Sequence, residues 1–209
     1  MKKSLLILLL TIPFVGFGQG WEKTFGGSNY DEGHYVQQTK DGGYIIIGKT
    51  ESFGNGDRDV LLLKTDENGD SLWIKTFGGK GEDVGVYGQQ TSDGGYIIVG
   101  STESFGNGKD DNTLFETQNN THFYKTFERM DLYVIKTDEN GDSLWTKTFG
   151  GKGRDDGREI QQTSDGGYII VGDTKNDGNW NVYLNKINEN GDLLWTKTFE
   201  GSGNSVKQT

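Results

Sequence analysis

One motif, LW-x-KTFGG, recurs along this chain and sets the length of its repeat. It stands at residues 72–79 and 144–151, and a variant ending in TFEG follows at residues 194–201. Its tail alone, WEKTFGG, lies at residues 21–27. Successive copies are about 50 residues apart, except that one interval is longer by roughly 20 residues. A period of this length is typical of propellers, solenoids and other arrays, so it constrains the fold before any local pattern does.

Two further motifs fill the interval between the copies. QQT-x-DGGYII-x-G occurs at residues 37–48, 89–100 and 161–172, and KTDENGDSLW or its variant KINENGDLLW occurs at residues 64–73, 136–145 and 186–195. Each unit therefore consists of strand-like runs separated by glycine-rich turns, which predicts an all-β chain. In the first copy the predicted strands are residues 33–39, 44–50, 59–65 and 71–77. The two middle strands are apolar on both faces, so both of their faces are expected to be covered.

The order KTDENGDSLW, TFGG, DGGYIIVGST resembles the β-propeller repeat of secreted bacterial proteins. The resemblance implies a β-propeller-like array in which each unit is one four-stranded antiparallel blade, and it assigns no catalytic residue. The predicted units are about 27–78, about 79–150 with an insertion at about 109–128, 151–200, and a partial unit at 201–209. Three full blades are fewer than the four to eight of a typical propeller.

Partial strands are expected at both ends of the array. Residues 21–26 match the outer strand of a unit, and residues 201–209 match the start of a fourth unit. The ring is therefore predicted to be incomplete, with an apolar blade face exposed at each end. Such a chain is either a truncated copy of a longer protein, which the break inside a repeat favours, or one that self-associates through its open blade faces.

The first 18 residues are interpreted as a signal peptide, and residues 19–209 as the mature chain. Lys2 and Lys3 precede an apolar run that ends in small residues, which is the pattern of a secretory leader. The predicted location is therefore extracellular or on a bacterial cell surface, with the periplasm as the alternative. No other apolar run is long enough to span a membrane, so no membrane span is expected.

Composition excludes several classes of function. The net charge is −10, which disfavours nucleic acid, because nucleic-acid binding needs clustered lysine and arginine. The chain has no cysteine, so disulfides, thiolate metal sites and a cysteine nucleophile are excluded. Arg154, Asp156 and Arg158 occur in the third copy only and form no recognisable site.

The candidate ligand-binding residues lie on one predicted rim of the array. They are the aspartates after the GG motif, the aspartates of a neighbouring loop, and aromatic residues of the insertion: Asp31, Asp83, Asp155, Asp57, Asp59, Phe115, Phe123 and Tyr124. Loops carried on a rigid scaffold are where binding residues usually lie. Turn capping by the aspartate side chains is the alternative explanation for them.

No cofactor is predicted, and Ca²⁺ is the alternative. Asp66, Asn68 and Asp70 have the spacing of the start of a calcium loop, but the glycine and the bidentate glutamate of such a loop are missing. A hairpin turn at Asn68-Gly69 explains the same residues without a metal. The predicted function is a secreted, non-catalytic binding or scaffold module with a protein or glycan ligand. The alternative is a propeller-scaffold hydrolase or lyase acting on extracellular glycans.

Overall fold

The computed structural model describes residues 20–106, 130–176, 178–201 and 206–207. Within these ranges the chain forms twelve strands and no helix, arranged as three four-stranded antiparallel sheets. Sheet 1 contains β1 (Asp31–Gln38), β2 (Tyr44–Thr50), β3 (Asp59–Thr65) and β4 (Ser71–Phe77). Sheet 2 contains β5 (Asp83–Gln90), β6 (Tyr96–Thr102), β7 (Asp131–Thr137) and β8 (Ser143–Phe149). Sheet 3 contains β9 (Asp155–Gln162), β10 (Tyr168–Asn176), β11 (Asn179–Ile187) and β12 (Leu193–Glu200).

The prediction of an all-β chain with four-stranded antiparallel units is confirmed, whereas the prediction of a partial strand at residues 21–26 is wrong. Strands β2, β3 and β4 have the predicted bounds, and β1 begins two residues earlier than expected. Residues 20–30 contain no strand, because no neighbouring strand is present to hydrogen-bond with them. At the other end, residues 201 and 206–207 are not strand, and the rest of the predicted partial unit lies outside the described residues. Among the described residues, no helix has the length and apolar character needed to cross a membrane.

The core lies between the sheets. One cluster joins sheets 1 and 2 through Ile45, Ile47, Val60, Leu62, Tyr96, Ile98, Tyr133 and Ile135. A second joins sheets 2 and 3 through Ile97, Val99, Leu132, Val134, Ile160, Tyr168, Ile170 and Ile187. Strands β3 and β7 are buried along their whole length, as expected of strands that are apolar on both faces. Sheet 2 is therefore covered on both sides by its neighbours.

The outward faces of sheets 1 and 3 are uncovered within the described part of the chain. Val36 on β1 is 57% exposed, whereas Ile160 at the corresponding position of β9 is fully buried against sheet 2. Phe199 on β12 is 52% exposed, whereas Phe77 on β4 packs against the core. The same repeat positions are therefore core or surface according to whether a neighbouring sheet is present.

The DGG motif forms the turn between the first two strands of each sheet, and a buried lysine holds it. The ammonium group of Lys64 lies 3.0 Å from the carboxylate of Asp41 and donates a 2.8 Å hydrogen bond to the carbonyl of Thr65. A side chain at Gly43 would overlap that carbonyl. The ion pair recurs as Lys136–Asp93 at 2.9 Å and Lys186–Asp165 at 3.0 Å. The repeated lysine and DGG therefore form one structural unit.

The ENGD motif forms the turn between the last two strands, although not in the expected conformation. The Gly69 amide donates to the carbonyl of Asp66 at 3.2 Å, so Glu67 and Asn68 are the central residues of the turn. Gly69 follows them with φ +76°, the left-handed residue that ends such a three-residue loop. The predicted hairpin turn at Asn68-Gly69 is therefore present, but its two central residues are Glu67 and Asn68. The Asp66 carboxylate accepts hydrogen bonds from the amides of Asn68 and Asp70 at 2.9 and 2.7 Å, which explains the aspartate without a metal.

The same turn also contacts the preceding sheet. The ring of Trp73 on β4 lies against Gly141 in the turn between β7 and β8, so closely that a side chain there would meet it at 2.8 Å. Lys75 donates a 2.6 Å ion-paired hydrogen bond to Asp142 of that turn. Equivalent ion pairs join Lys23 to Asp70 and Lys147 to Asp192, at 2.7 and 3.2 Å. Residues 21–23 thus lie against sheet 1 as β4 lies against sheet 2, although they form no strand.

Candidate ligand-binding cleft

Each first strand carries a β-bulge at the same repeat position. Between β1 and β2, Gly33 pairs with Gly48 and Tyr35 pairs with Ile47, so His34 has no partner. The same shift leaves Val86 on β5 and Arg158 on β9 without a partner. A bulge bends the strand and redirects its extra side chain, which is why bulges are common beside binding sites.

Glycine pairs make these bulges possible. A side chain at Gly48 would overlap the carbonyl of Glu32, and one at Gly100 would overlap the carbonyl of Val84. The backbones of the first two strands therefore approach too closely at the bulge for any residue with a Cβ atom. This close approach accounts for the invariant glycine that ends the DGGYII-x-G motif.

The three bulge residues line one cleft of about 440 Å³. The cleft extends across all three sheets where β1, β5 and β9 lie side by side, and its lining is His34, Lys49, Arg58, Glu82, Val84, Val86, Ser101, Met130, Arg154, Asp156 and Arg158. Its volume lies within the range of small-molecule sites. Every arginine in the described ranges belongs to this lining. In a chain of net charge −10, the cleft is thus a local concentration of positive side chains.

Carboxylate side chains accept hydrogen bonds from the arginines of the cleft. Arg58 donates from Nε to Glu51 at 2.8 Å and from Nη1 to Glu82 at 2.9 Å. These two hydrogen bonds raise the pKa of Arg58 above its already high ordinary value. The side chain of Arg58 is 31% exposed while that of Glu82 is 11% exposed. Glu82 is therefore more buried than Arg58, whereas Glu51 is exposed to the same extent, 31%.

On sheet 3, too, the arginines of the cleft donate to carboxylates that are more buried than they are. Arg154 donates from Nε to Asp156 at 2.8 Å, and Arg158 donates from Nε to Asp173 at 2.8 Å. The arginines are 31% and 40% exposed, but Asp156 and Asp173 are only 6% and 5% exposed. Ser101 of sheet 2 also donates to Asp156 at 2.9 Å, so this carboxylate is held from two sheets.

The first sheet contributes His34 and Lys49 to the cleft. The carbonyl of Gly85 lies 2.6 Å from Nδ1 of His34, and because a carbonyl can only accept, Nδ1 carries the proton. Nε2 of His34 lies 3.5 Å from the Glu32 carboxylate, which also pairs with Lys49 at 3.2 Å. The histidine is therefore held in one orientation by the neighbouring sheet.

The cleft is lined by the positions at which the repeat copies differ. Its bulge position holds His34, Val86 and Arg158, and a position on the second strand holds Lys49, Ser101 and Asp173. The residue before each first strand is Tyr30, Glu82 or Arg154. Arg58 and Met130 precede β3 and β7, and Trp180 occupies the corresponding position within β11. The second-strand position, by contrast, is flanked by glycine and threonine in every copy. The cleft therefore brings together several positions at which the copies differ.

The predicted aspartates after the GG motif lie in three different sheets and serve their own loops. Asp83 accepts hydrogen bonds from the Thr102 hydroxyl, the Ser104 hydroxyl at 2.6 Å and the Gly79 amide at 2.8 Å. Burial raises the pKa of Asp83 above its ordinary value despite these hydrogen bonds, and burial likewise raises the pKa of Asp155.

Asp31 makes the equivalent hydrogen bonds to Thr50, Ser52 and Gly27. Burial raises the pKa of Asp31, but the hydrogen bonds lower it by more, so the pKa lies below its ordinary value. The three aspartates therefore have one structural role in differently covered surroundings.

Of the other predicted site residues, Asp57 and Asp59 do not line the cleft. Asp59 is buried and accepts from the amides of Asn55 and Gly56 at 2.8 and 3.3 Å, and Asp57 is exposed in the loop before it. Phe115, Phe123 and Tyr124 lie outside the described residues. No group of three or more histidine and acidic side chains with metal-binding geometry occurs in the described ranges.

Sequence reasoning noticed Arg154, Asp156 and Arg158 but not the site that they share with Arg58, Glu82 and His34. The available signal was the divergence between copies, above all at the second-strand position that glycine and threonine flank in every copy. Two glycines that face each other across β1 and β2 were a second signal, since they mark a bulge. No model of a known protein family matches the chain, and no curated protein matches it at a significant level.

Proposed function

We propose that this chain is a secreted, non-catalytic module built from β-propeller blades, which binds a protein or glycan ligand in the cleft at the bulges of β1, β5 and β9. The observation that carries the proposal is the convergence of the divergent repeat positions on one cleft of about 440 Å³. Loops and strand ends held by a rigid scaffold are where binding residues usually lie.

The propeller arrangement is supported by the order and packing of the sheets. Each sheet runs from its first to its fourth strand in chain order, as propeller blades do. The first strands lie next to one another, and their glutamines are linked across the sheets. Gln37 accepts from the Gln90 amide at 2.8 Å, and Gln162 accepts from the Ser92 amide at 2.9 Å. This row of first strands corresponds to the inner wall of a propeller channel, and the cleft corresponds to one mouth of that channel.

A binding role is favoured over catalysis by the state of the acidic groups in the cleft. Glu82 is paired with Arg58, and Asp156 is paired with Arg154. A carboxylate that accepts hydrogen bonds from a guanidinium has fewer lone pairs left for a substrate. Glycoside hydrolysis requires two carboxyl groups that both act on the substrate. The cleft is thus better suited to holding a ligand than to cleaving a glycosidic bond.

The proposal can be tested by melting the protein in the presence of soluble candidates: digalacturonate, xylobiose, chitobiose and an acid-terminated tripeptide. At least one is expected to raise the melting temperature, because a ligand that binds only the folded state stabilises it. Val86→Trp fills the cleft and is expected to abolish the rise. Leu144→Trp, on the exposed edge of sheet 2, is the matched control and should preserve it.

Two outcomes contradict the proposal. An equal rise in the Val86→Trp variant would place the ligand elsewhere on the chain. The appearance of new reducing ends or unsaturated sugars during incubation would favour the alternative function, a glycan hydrolase or lyase.

A further inference from the structure

We infer that two copies of this chain join head to tail, with the outer face of sheet 3 of one copy packed on the outer face of sheet 1 of the other. The two contacts formed in this way would close a ring of six sheets. The inference goes beyond ligand binding and does not depend on it. Its basis is the contact that joins successive sheets within one chain, because the two sides of that contact recur on the two outer faces.

The contact within the chain joins the fourth strand of one sheet to a turn of the next. Between sheets 1 and 2, Trp73 lies against the turn between β7 and β8, and Lys75 donates to Asp142 of that turn at 2.6 Å. Between sheets 2 and 3, Lys147 donates to Asp192 at 3.2 Å. The fourth strand of this repeat thus binds a glycine-containing turn through a tryptophan and a lysine.

The outer face of sheet 3 carries the fourth-strand side of this contact. Trp195, Lys197 and Phe199 alternate along β12 and so share one face. Val182 pairs with Phe199, and Trp180 lies two residues before Val182, so Trp180 belongs to the same face. Trp180, Trp195 and Phe199 are 42%, 40% and 52% exposed. The face is therefore an apolar patch that also carries the lysine of the contact.

The outer face of sheet 1 carries the turn side of the contact. Asp70 ends the turn that corresponds to residues 138–142, and Tyr44 begins β2 as Tyr96 begins β6. Lys197 and Asp70 have opposite charges, so a contact between sheet 3 and sheet 1 of two copies is attractive. A contact between two copies of sheet 3 would instead bring two lysines together. Charge complementarity therefore favours the head-to-tail arrangement.

The residues at the rim of the two faces also match. The amide of Asp83 on sheet 2 donates to the carbonyl of Arg58 on sheet 1 at 2.8 Å, and an equivalent bond of 2.6 Å joins sheets 2 and 3. The corresponding positions on the outer faces hold Asp31 and Trp180. Tyr30 precedes Asp31 and is 54% exposed, so the same bond between copies would bring it close to Trp180. Two exposed aromatic side chains would thus be covered together.

Residues 21–23 lie on part of this face of sheet 1 and must leave it. Trp21 meets Tyr44 edge to face with ring centroids 5.8 Å apart, and Lys23 pairs with Asp70 at 2.7 Å. These residues form no strand, and Trp21 remains 47% exposed. Because β12 is already hydrogen-bonded to β11, its docking costs less conformational entropy than ordering a separate segment. We therefore expect β12 of the second copy to replace residues 21–23.

One contact on sheet 3 is lost as well. The amide of Val206 donates to Glu159 on β9 at 3.2 Å, where the first strand of the second copy would lie. Loss of a single hydrogen bond is small beside the burial of the aromatic side chains of β11 and β12.

Two copies are enough to close the arrangement. Head-to-tail contacts form a ring when the rotation between the units closes, and they form an open filament when it does not. Rings of four-stranded sheets contain four to eight sheets, and two copies of three sheets make six. Such a ring leaves no outer face of sheet 1 or sheet 3 for a third copy, so the pair does not grow.

Sedimentation equilibrium of the protein and its variants measures the association, and the expected species contains two copies. Lys197→Glu should weaken the pairing at least about threefold, because both Lys197–Asp70 contacts of the pair become repulsive. Adding Asp70→Lys to Lys197→Glu should restore the affinity to within about twofold, because attraction returns with the charges exchanged. Asp142→Lys makes the same change in a turn that sheet 1 already covers, so it is the matched control and should not restore the affinity. The melting temperature of each variant shows that it is folded.

A second comparison tests the displacement of residues 21–23. Trp21→Ala should strengthen the pairing at least about threefold, because this segment then competes less well for sheet 1. Phe199→Ala should weaken the pairing by a similar factor, since its ring lies in the contact. Leu144 is 59% exposed, and its copies Leu72 and Leu194 are exposed to the same degree, so this position lies outside the contacts between sheets. Leu144→Ala is therefore the control and should leave the affinity within about twofold.

Several results would overturn the inference. A monomer at every concentration would do so, and so would growth beyond two copies. Failure of Asp70→Lys to restore the pairing, or equal restoration by Asp142→Lys, would show that sheet 1 is not the receiving face. Weaker pairing in Trp21→Ala would show the same. Ligand-dependent melting tests the proposed binding function independently of these results.

Discussion

Trp73 on β4 meets Tyr96 on β6 of the next sheet edge to face, with ring centroids 5.9 Å apart and ring planes 65° apart. The same pair recurs as Trp145 and Tyr168 at 6.2 Å. Such aromatic pairs add to the burial of apolar area. Trp195, the third copy of this tryptophan, has no following sheet to contact within the described residues and is 40% exposed. The repeated LW-x-K and DGGY motifs are therefore the two sides of one interface between sheets.

Replacing Trp73 should accordingly cost far more stability than replacing Trp195. Trp73→Ala is expected to lower the free energy of unfolding by about 2 to 3 kcal/mol, because it leaves a cavity between sheets 1 and 2. Trp195→Ala should change it by about 0.5 kcal/mol or less, as is usual for exposed positions. Urea titration of both variants measures the difference. Equal losses of unfolding free energy in the two variants would show that the repeated tryptophan does not stabilise the interface between sheets.

Alanine substitutions at Gly141 and Gly178 provide a second comparison of stability, because the two glycines have similar backbone conformations but different surroundings. Both have positive φ, +77° and +85°, so alanine is strained at either position by about 1 kcal/mol. At Gly141 the new methyl group would also meet the Trp73 ring at 2.8 Å, whereas nothing lies within 4 Å of it at Gly178. Gly141→Ala should therefore destabilise the protein by at least about 1 kcal/mol more than Gly178→Ala. Thermal unfolding of the two variants measures this, and equal effects would mean that the turn does not pack tightly on the preceding sheet.

The ion pair between Asp93 and buried Lys136 should make stability depend on pH in acid. Burial opposes ionisation of Asp93, but hydrogen bonds from Thr91 and Lys136 outweigh it and lower the pKa of Asp93. A lowered pKa in the folded state gives stability that is present above the ordinary value of 3.8 and lost as the pH falls through the folded value. Asp93→Asn is thus expected to destabilise the protein at about pH 6 and to have a much smaller effect at about pH 2. An equal loss of stability at both pH values would show that the charge of Asp93 does not contribute to stability.

The pKa values of Asp31 and Asp83 should be shifted in opposite directions from the ordinary value, although the two carboxylates make equivalent hydrogen bonds. Burial against sheet 1 raises the pKa of Asp83, while hydrogen bonding prevails at the less covered Asp31 and lowers its pKa. The contribution of Asp83 to stability therefore falls as the pH rises through its raised pKa, and that of Asp31 falls as the pH drops. Carbon-detected NMR titration of the side-chain carboxyl groups measures both values. Midpoints on the same side of 3.8 would contradict the difference in burial.

The uncovered face of sheet 3 should cause the chain to self-associate. Trp195 and Phe199, which share one face of β12, are 40% and 52% exposed and form an apolar patch. Sedimentation velocity is expected to show concentration-dependent association, and Phe199→Glu should weaken it. Leu144→Glu, at an exposed position of β8, is the matched control and should leave association unchanged. Monomeric behaviour at all concentrations would contradict this expectation.

The scaffold could be predicted from the sequence because its interactions are repeated. The DGG and Asn-Gly turns, with the apolar runs between them, placed the strands of sheet 1 almost to the residue. The conformation of the ENGD turn was missed, because Asn68-Gly69 is compatible with both a two-residue loop and a three-residue loop. The strand at residues 21–26 was also mispredicted, because sequence identity with β4 cannot supply the hydrogen-bonded neighbour that makes a strand.

The cleft could not be predicted in the same way, because it depends on the register in which the first two strands of each sheet pair. The side chains of His34, Val86 and Arg158 reach one cleft only when β1, β5 and β9 are bulged and placed side by side. The repeated aspartates drew attention instead, although repetition indicates a structural role for them. Divergence between the copies at the cleft positions would have been the better guide to the site.

Hydrogen–deuterium exchange with and without a saturating amount of each soluble probe that raises the melting temperature tests most directly whether the divergent positions form the ligand site. We predict slower exchange in the first halves of β5 and β9 and in the loop containing Arg58, with unchanged exchange in the turns at residues 66–70 and 138–142 on the opposite rim. Protection confined to those turns or to β12, or no protection anywhere, would contradict the account.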